Sequence, residues 1–202
     1  MVRQICCDVA NRGEPLENIF PDREFAADFL TGYYTDYEPQ SSFVAESDGN
    51  VIGYVNGCMD NRCHGLVMIF LMIPKLIVKG VQRGVFGRRE FWRIIQVMFK
   101  NWRWFFIWRK KSFHSHQGHM HIGVAKNFRG QQVGERLVDA LLNYAKERSV
   151  DQITASVHDG NRAACRFFER LGFKPQERYP MVMAYGDSLQ NYHSIFYVKT
   201  MA

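Results

Sequence analysis

Val124-Ala-Lys-Asn-Phe-Arg-Gly-Gln-Gln-Val-Gly134 decides how the rest of the chain is read. Strand-like residues, His119 to Val124, lead into it. Out of it come Val133, Leu137, Ala140, Leu141 and Tyr144, whose three- and four-residue spacing predicts a helix over about Gln132 to Arg148. A strand that turns through Gly130 into a helix aims the backbone N–H groups of residues 130–134 at one point, where the helix dipole favours an anion. Arg129 adds a charge-assisted contact for a phosphate. The same features suit an ordinary helix start with a glycine turn. With two glycines and no Gly-Lys-Ser/Thr, the stretch is neither a dinucleotide fingerprint nor a P-loop.

Working outward toward the C-terminus, Ile153 to Val157 predicts a strand and Asn161 a helix cap. The helix runs to Leu171 and stops at Gly172, and strands follow at Phe173 to Gln176 and Pro180 to Tyr185. Toward the N-terminus, Val2 to Val9 is read as a first strand and Asn11 to Pro15 as a turn. Asp22 is read as the cap of a helix whose Phe25, Phe29 and Leu30 share an inner face. Ser42 to Ala45 and Val51 to Asn56 then form a hairpin around Glu46-Ser-Asp-Gly-Asn50.

Between hairpin and loop the character changes. Leu66 to Gly80 and Arg89 to Lys111 lack strand alternation, hold all four tryptophans (Trp92, Trp102, Trp104, Trp108), and are separated by Gly80, Gly84 and Gly87. The stretch from Pro74 to Ser112 has 11 Lys or Arg against Glu90 alone, a net +10 in a chain whose total is +6. Charge therefore belongs to this segment, read as a helical insertion over about residues 63–114. The longest apolar run, Leu66 to Val78, has 13 residues and is interrupted by Pro74 and Lys75, short of the roughly 20 that cross a bilayer. At 202 residues, 47% hydrophobic and 23% charged, the chain suits one folded domain with this decoration. Five cysteines, an odd number, and no secretory leader pattern predict a reducing, cytoplasmic setting.

Taken with the helix Asn161-Arg-Ala-Ala-Cys-Arg-Phe-Phe-Glu-Arg-Leu-Gly-Phe173, the loop resembles the GCN5-related N-acetyltransferase (GNAT) superfamily. The family's Arg/Gln-x-x-Gly-x-Gly/Ala loop falls on Arg129, Gly130, Gln131, Gln132, Val133 and Gly134, and its Asn-x-x-Ala on Asn161 and Ala164. Its closing Leu-Gly-Phe falls on Leu171 to Phe173. The resemblance covers residues 1–60 and 117–186 and leaves the insertion outside. It implies a mixed α/β (α+β) fold: a central splayed sheet flanked by helices, with the insertion between the third and fourth strands. Residues 1–202 would then be a single acyltransferase domain. It also implies acetyl-CoA, or another acyl-CoA, as cosubstrate, held by Gly123, Val124, the Arg129 to Gly134 loop, Asn161 and Phe168.

Two departures from the family stand out. Gln132 occupies a usual glycine position, which narrows the approach to the backbone. Phe168 stands where many members carry the tyrosine that protonates the leaving thiolate, and phenylalanine has no proton to give. Another group takes that work, the thiolate leaves with little help, or the domain binds acyl-CoA without efficient turnover.

His119 and His121 flank Met120, so strand alternation puts both imidazoles on one face, and either can accept a proton near neutrality. This His-x-His resembles the paired histidines of the arylalkylamine N-acetyltransferase branch, where they line the amine site and relay the proton; the alternative is a structural pair. Tyr179 and Tyr185 are candidate acids, Glu46 a second candidate base, and His158 and Asp159 candidates to shape the cleft. His114, His116, His119 and His121, and Cys58, Cys63 and His64, are dense, but neither tract has the tight spacing of a structural zinc site, and no metal is expected.

The function expected is acetyl transfer to a primary amine, with histidine-assisted deprotonation and direct attack. The acceptor is a small molecule or a protein. The alternative is a noncatalytic acyl-CoA-binding or sensing module. The basic aromatic insertion is read as a lid, a homodimer seam or a peripheral membrane contact, and no specific nucleic-acid binding is expected.

Overall fold

The computed structural model describes residues 2–9, 16, 22–112, 116–185 and 188–201, with side chains of Val9, of 104–112 and of Tyr185 set aside. The turn expected at Asn11 to Pro15, His114, and the side chains of Trp104, Trp108 and Tyr185 lie outside that description. In chain order the elements are α1 (Val2–Val9), α2 (Arg23–Asp36), β1 (Ser42–Ser47), β2 (Asn50–Cys58), α3 (Asn61–Val67), α4 (Ile73–Gln82) and α5 (Arg89–Ser112). Then come β3 (Gln117–Val124), α6 (Val133–Glu147), β4 (Gln152–His158), α7 (Arg162–Arg170), β5 (Lys174–Tyr185) and β6 (Ser188–Thr200). Six strands form one sheet in the order β1-β2-β3-β4-β6-β5, with β3 and β4 parallel and every other pair antiparallel.

Val2–Val9 is a helix, which corrects the strand reading. Val2, Ile5, Cys6 and Val9 recur at helical spacing, and Cys6 and Cys7 are both buried, as neighbours on one helical face can be. With that strand gone, the insertion falls between the second and third strands instead of the third and fourth. In α2 the Asp22 carboxylate accepts the Phe25 N–H at 2.9 Å, as its cap role requires. Phe29, however, is 46% exposed while Asp28 is buried, because Arg3 of α1 and Lys79 of α4 both meet the Asp28 carboxylate.

The hairpin closes through Asp48-Gly49, both at positive φ (52° and 76°), the conformation of a tight two-residue turn. Its strands run longer than expected. The two C-terminal strands expected at 173–176 and 180–185 are one bulged edge strand, β5, which tolerates Pro175 and Pro180 because an edge strand has ladder positions to spare. Strand β6 pairs along both β4 and β5.

One face of the sheet is apolar. Val55, Met120, Ile153, Ala155, Val157 and Tyr197 pack there against Leu137, Val138, Leu141, Leu142 and Ala145 of α6 and against Cys165 and Phe168 of α7. The other face is covered on its β2–β3 side by α1, α2 and α3. At the far edge, α5 fixes β5 through Asn101, whose amide donates to the Val182 carbonyl and accepts its N–H, both at 2.8 Å. Arg88, just before α5, lies 3.7 Å from Asp22, so α5 bridges from α2 to the opposite edge of the sheet.

Candidate acyl-CoA and acceptor site

The parallel ladder between β3 and β4 consists of Gln117 with Gln152, Gly118 with Ile153 and His119 with Thr154, and then stops. Both strands continue, β3 to Val124 and β4 to His158, so they part beyond His119 and leave a V-shaped opening. At the end of β3, Arg129 Nε donates to the Val124 carbonyl at 3.0 Å and ties the loop back to its strand. Gly130 (φ 79°) and Gln132 (φ 61°) turn the chain into α6. Gln132 is the helix cap and supplies no side-chain bond, so the first amides of α6 are free of side-chain capping. A side chain at positive φ costs about 1 kcal/mol, and here it sits at the very position the family gives to glycine.

Gly134 is in the first turn of α6, and a Cβ there would stand 3.2 Å from the Phe167 ring. The backbone of the loop, α6 and α7 thus meet closely beside the opening. An uncapped helix start, a left-handed turn and a strand edge without its partner fit the phosphate and pantetheine parts of acyl-CoA. Asn161 caps α7 by accepting the Ala164 N–H at 3.1 Å.

The two histidines part company in the structure. His119 is buried and uses both ring nitrogens: Nε2 lies 2.7 Å from the Tyr34 hydroxyl and Nδ1 2.5 Å from Asn61 Oδ1. Burial holds Tyr34 protonated, so its hydroxyl donates to Nε2, and Nδ1–H donates to Asn61. Burial first, then the neighbouring His64 and His121, keep His119 neutral with its pKa well below the usual value. Its lone pair is engaged and its environment rejects a second proton.

His121 is exposed at one edge, and its ring packs edge-on to Tyr34 (5.7 Å) and His119 (5.8 Å) with no side-chain hydrogen bond to a described residue. Protein packed around the rest of the ring still lowers its pKa. Of the pair, His121 is the one with a proton-accepting nitrogen to offer. It stands on β3 beyond the point where the strands part.

Three neighbours were not read from the sequence as part of this histidine site, although His64 was weighed with Cys58 and Cys63 as a metal ligand. Asn56 lies directly opposite His121 across the β2–β3 ladder and is 1% exposed, and both its amide nitrogen and its oxygen are buried without a hydrogen-bond partner. Asn61 Nδ2 is likewise buried and unpartnered. His64 of α3 packs its ring 4.7 Å from His119 and 4.4 Å from Tyr33; burial, and then His121, lower it to about 4. Alternation along β2 could have placed Asn56 on the histidine face, but nothing local marks α3 as returning to it.

Other sequence candidates fall elsewhere. Phe168 is 4% exposed, turned into the core against Phe173 and Tyr197, while its neighbour Phe167 faces the loop at Gly134. Tyr179 is on β5, separated from β3 by β4 and β6, and packs edge-on to Phe196. Glu46 is exposed on the edge strand β1. His158 stacks on Tyr192 and accepts the Gly160 N–H at 2.8 Å. Cys58 is buried and Cys63 exposed, and among the described residues no three His, Cys, Asp or Glu converge as a metal site.

A family model described as the acetyltransferase (GNAT) family matches residues 94–173, from the second turn of α5 through the loop to Phe173, just past the Asn161 helix. Over 52 residues the chain is 36% identical to N-alpha-acetyltransferase 30 of Schizosaccharomyces pombe, a match that takes in 26% of this chain and spans about a third (35%) of that relative. Among solved structures, SsHAT superposes with a TM-score of 0.72 at 20% identity, covering 100% of this chain and 92% of that one. A ribosomal-protein-alanine N-acetyltransferase from Brucella melitensis gives 0.56 at 20% identity, over 98% and 91%. The yncA protein of Salmonella typhimurium, a putative acetyltransferase solved with acetyl-CoA, gives 0.52 at 14%, over 90% and 75%. At these identities the structural likenesses speak for the fold alone, and the family likeness rests on the motif-bearing segment. With β3 and β4 parting just ahead of the matched loop, the chain is similar to the GNAT acetyltransferase family over residues 94–173, the segment that carries the loop and the Asn161 helix.

Proposed function

We propose that the protein transfers an acetyl group from acetyl-CoA to a primary amine, with His121 as the group that takes the amine's proton. The observation that carries this reading is the position of His121: one alternation past the last β3–β4 pair, with an exposed edge and an uncommitted ring. Acetyl-CoA, when bound, supplies an acetyl thioester, the electrophile that a neutral amine attacks. The loop from Arg129 to Gly134 and the start of α6 are the groups that would hold its phosphates. Backbone N–H groups on the unpaired edge of β3 would polarise a carbonyl lodged in the opening.

His119 then has a positioning role. Tied to Tyr34 and Asn61, it fixes the floor on which His121 and Asn56 stand. Asn56, with donor and acceptor both unclaimed, supports recognition of a polar group on the acceptor. Because burial lowers the pKa of His121, the base is already neutral at pH 7, and kcat/KM should fall on acidification with a midpoint below 6.5.

His121→Ala should lower turnover about 100-fold and leave CoA affinity, read by calorimetry, unchanged. Turnover within twofold of the parent across pH 6 to 9 would remove His121 from the reaction. Phe168 supports the second reading, an acyl-CoA-binding module without turnover, since no phenol replaces the missing tyrosine at that position of α7. Tight acetyl-CoA binding with no product across a panel of amines would select it.

A further inference from the structure

Residues 61–82 form one continuous helical run of 22 residues, α3 through α4, with a mean hydropathy of 1.7 over its most apolar stretch and only 17% of that stretch buried. One side of the run is committed. Met72 and Leu76 are buried, and Lys75, Lys79 and Arg83 pair with Asp36 (3.0 Å), Asp28 (2.5 Å) and Asp22 (3.0 Å) along α2. The opposite side presents Phe70, Ile73, Ile77, Val78 and Val81, each between 43% and 68% exposed.

Helix α5 repeats this division. Asn101 is buried against β5, and at 100° per residue Trp92, Ile95, Met98, Phe99 and Trp102 share an exposed arc, Phe99 at 75%. Arg89, Arg93, Lys100 and Arg103 occupy the adjoining arc. Among the described residues, 13 of the 17 exposed large hydrophobics lie between Leu66 and Trp102. Surfaces of this extent on soluble monomers are rare and mark contact with an apolar partner.

Charge decides which partner fits this surface. A second copy would bring the basic arc of α5, with Arg89, Arg93, Lys100 and Arg103, against its twin, a repulsion that opposes a dimer through this face. An anionic lipid surface offers hydrocarbon to the exposed apolar arcs and negative charge to the basic one. Crossing the bilayer is excluded by α2: its carboxylates ride along the length of α4, and a spanning helix would carry that ionic seam into hydrocarbon.

We propose that α3, α4 and α5 form a monotopic membrane-binding surface that seats the protein on anionic phospholipid. The inference is independent of the chemistry assigned to His121.

The test is co-sedimentation of the full chain with phosphatidylcholine vesicles with and without 30 mol% phosphatidylglycerol. The parent should bind anionic vesicles, and bind neutral ones at least tenfold more weakly. Val81→Ser with Phe99→Ser, both at exposed positions, should lower the anionic partition at least tenfold with an unchanged melting temperature. Lys100→Glu with Arg103→Glu should weaken binding at low salt, an effect that shrinks at 0.5 M salt. A parent that stays in the supernatant with anionic vesicles overturns the proposal, as does a serine variant that binds like the parent. A soluble dimer that the serine pair dissociates, without vesicle binding, replaces it with a self-association face. Retention in vesicles through alkaline carbonate extraction replaces it with a spanning helix.

Discussion

The two faces of one sheet are built on opposite terms. Beneath α6 and α7, the residues that meet are Val55, Met120, Ile153, Val157, Leu141 and Phe168, and almost no polar side chain is enclosed. Across the same strands, beneath α2 and α3, the residues are Tyr54, Asn56, Cys58, His119 and His121, with Tyr33, Tyr34 and His64 above them. The first face stabilises the fold by removing apolar area from water. The second keeps three amide atoms buried without partners, which costs stability, and holds His64 and His119 below their ordinary pKa, which costs stability once the pH falls below about 6.5. A fold that needed only to persist would not arrange its sheet this way, and this is why the acceptor site is proposed on the polar face.

The sharpest test of that division is Leu141→Ala on the apolar face, where Leu141 is fully buried. A cavity there should cost about 4 kcal/mol, read from the urea midpoint, with the pH dependence of stability untouched. A loss under about 1 kcal/mol would mean that this face relaxes around the gap and is not the rigid support described here.

Acid should act through the other face. His64 has a folded pKa of about 4 against about 6.5 when unfolded, so between those values the unfolded chain binds the extra proton. Stability is therefore fully present above pH 6.5 and falls as pH drops toward 4, by about 3 kcal/mol for this one group. His119 shifts in the same direction. Denaturant titrations at pH 7, 5.5 and 4.5 should show the decline, and His64→Phe should flatten part of it. A His64→Phe curve parallel to the parent would show that His64 takes up its proton without cost.

The apolar face was largely legible in the sequence, and the polar face was not. Val133, Leu137 and Leu141 recur at helix spacing, Asn161 occupies a cap position, and each signal lies within a few residues of its consequence. The loop from Arg129 to Gly134 was readable for the same reason. Tyr34 and His119, by contrast, are 85 residues apart, and Asn61 reaches His119 across 58. Neither contact leaves a local pattern. Phe167 and Phe168 are adjacent, so only the packed helix decides which of them meets the loop. Val2–Val9 carried a helical spacing that its apolar content disguised as a strand, and the docking of α5 rests on one asparagine, Asn101, that periodicity does not mark.

The smallest expected effect is also the most discriminating. Asn56→Leu keeps roughly the side-chain volume and removes an amide that has no partner in the fold. On burial alone the variant should gain about 1 kcal/mol, a rise of about 2 to 4 °C in melting temperature for a chain of this size. If Asn56 serves the acceptor opposite His121, the same change should raise KM for the amine and leave CoA affinity alone. Gain in stability with loss of acceptor binding is the signature of a polar group kept for function. Loss of stability with KM unchanged would make Asn56 part of the scaffold, and the line drawn between the two faces would move to the histidines alone.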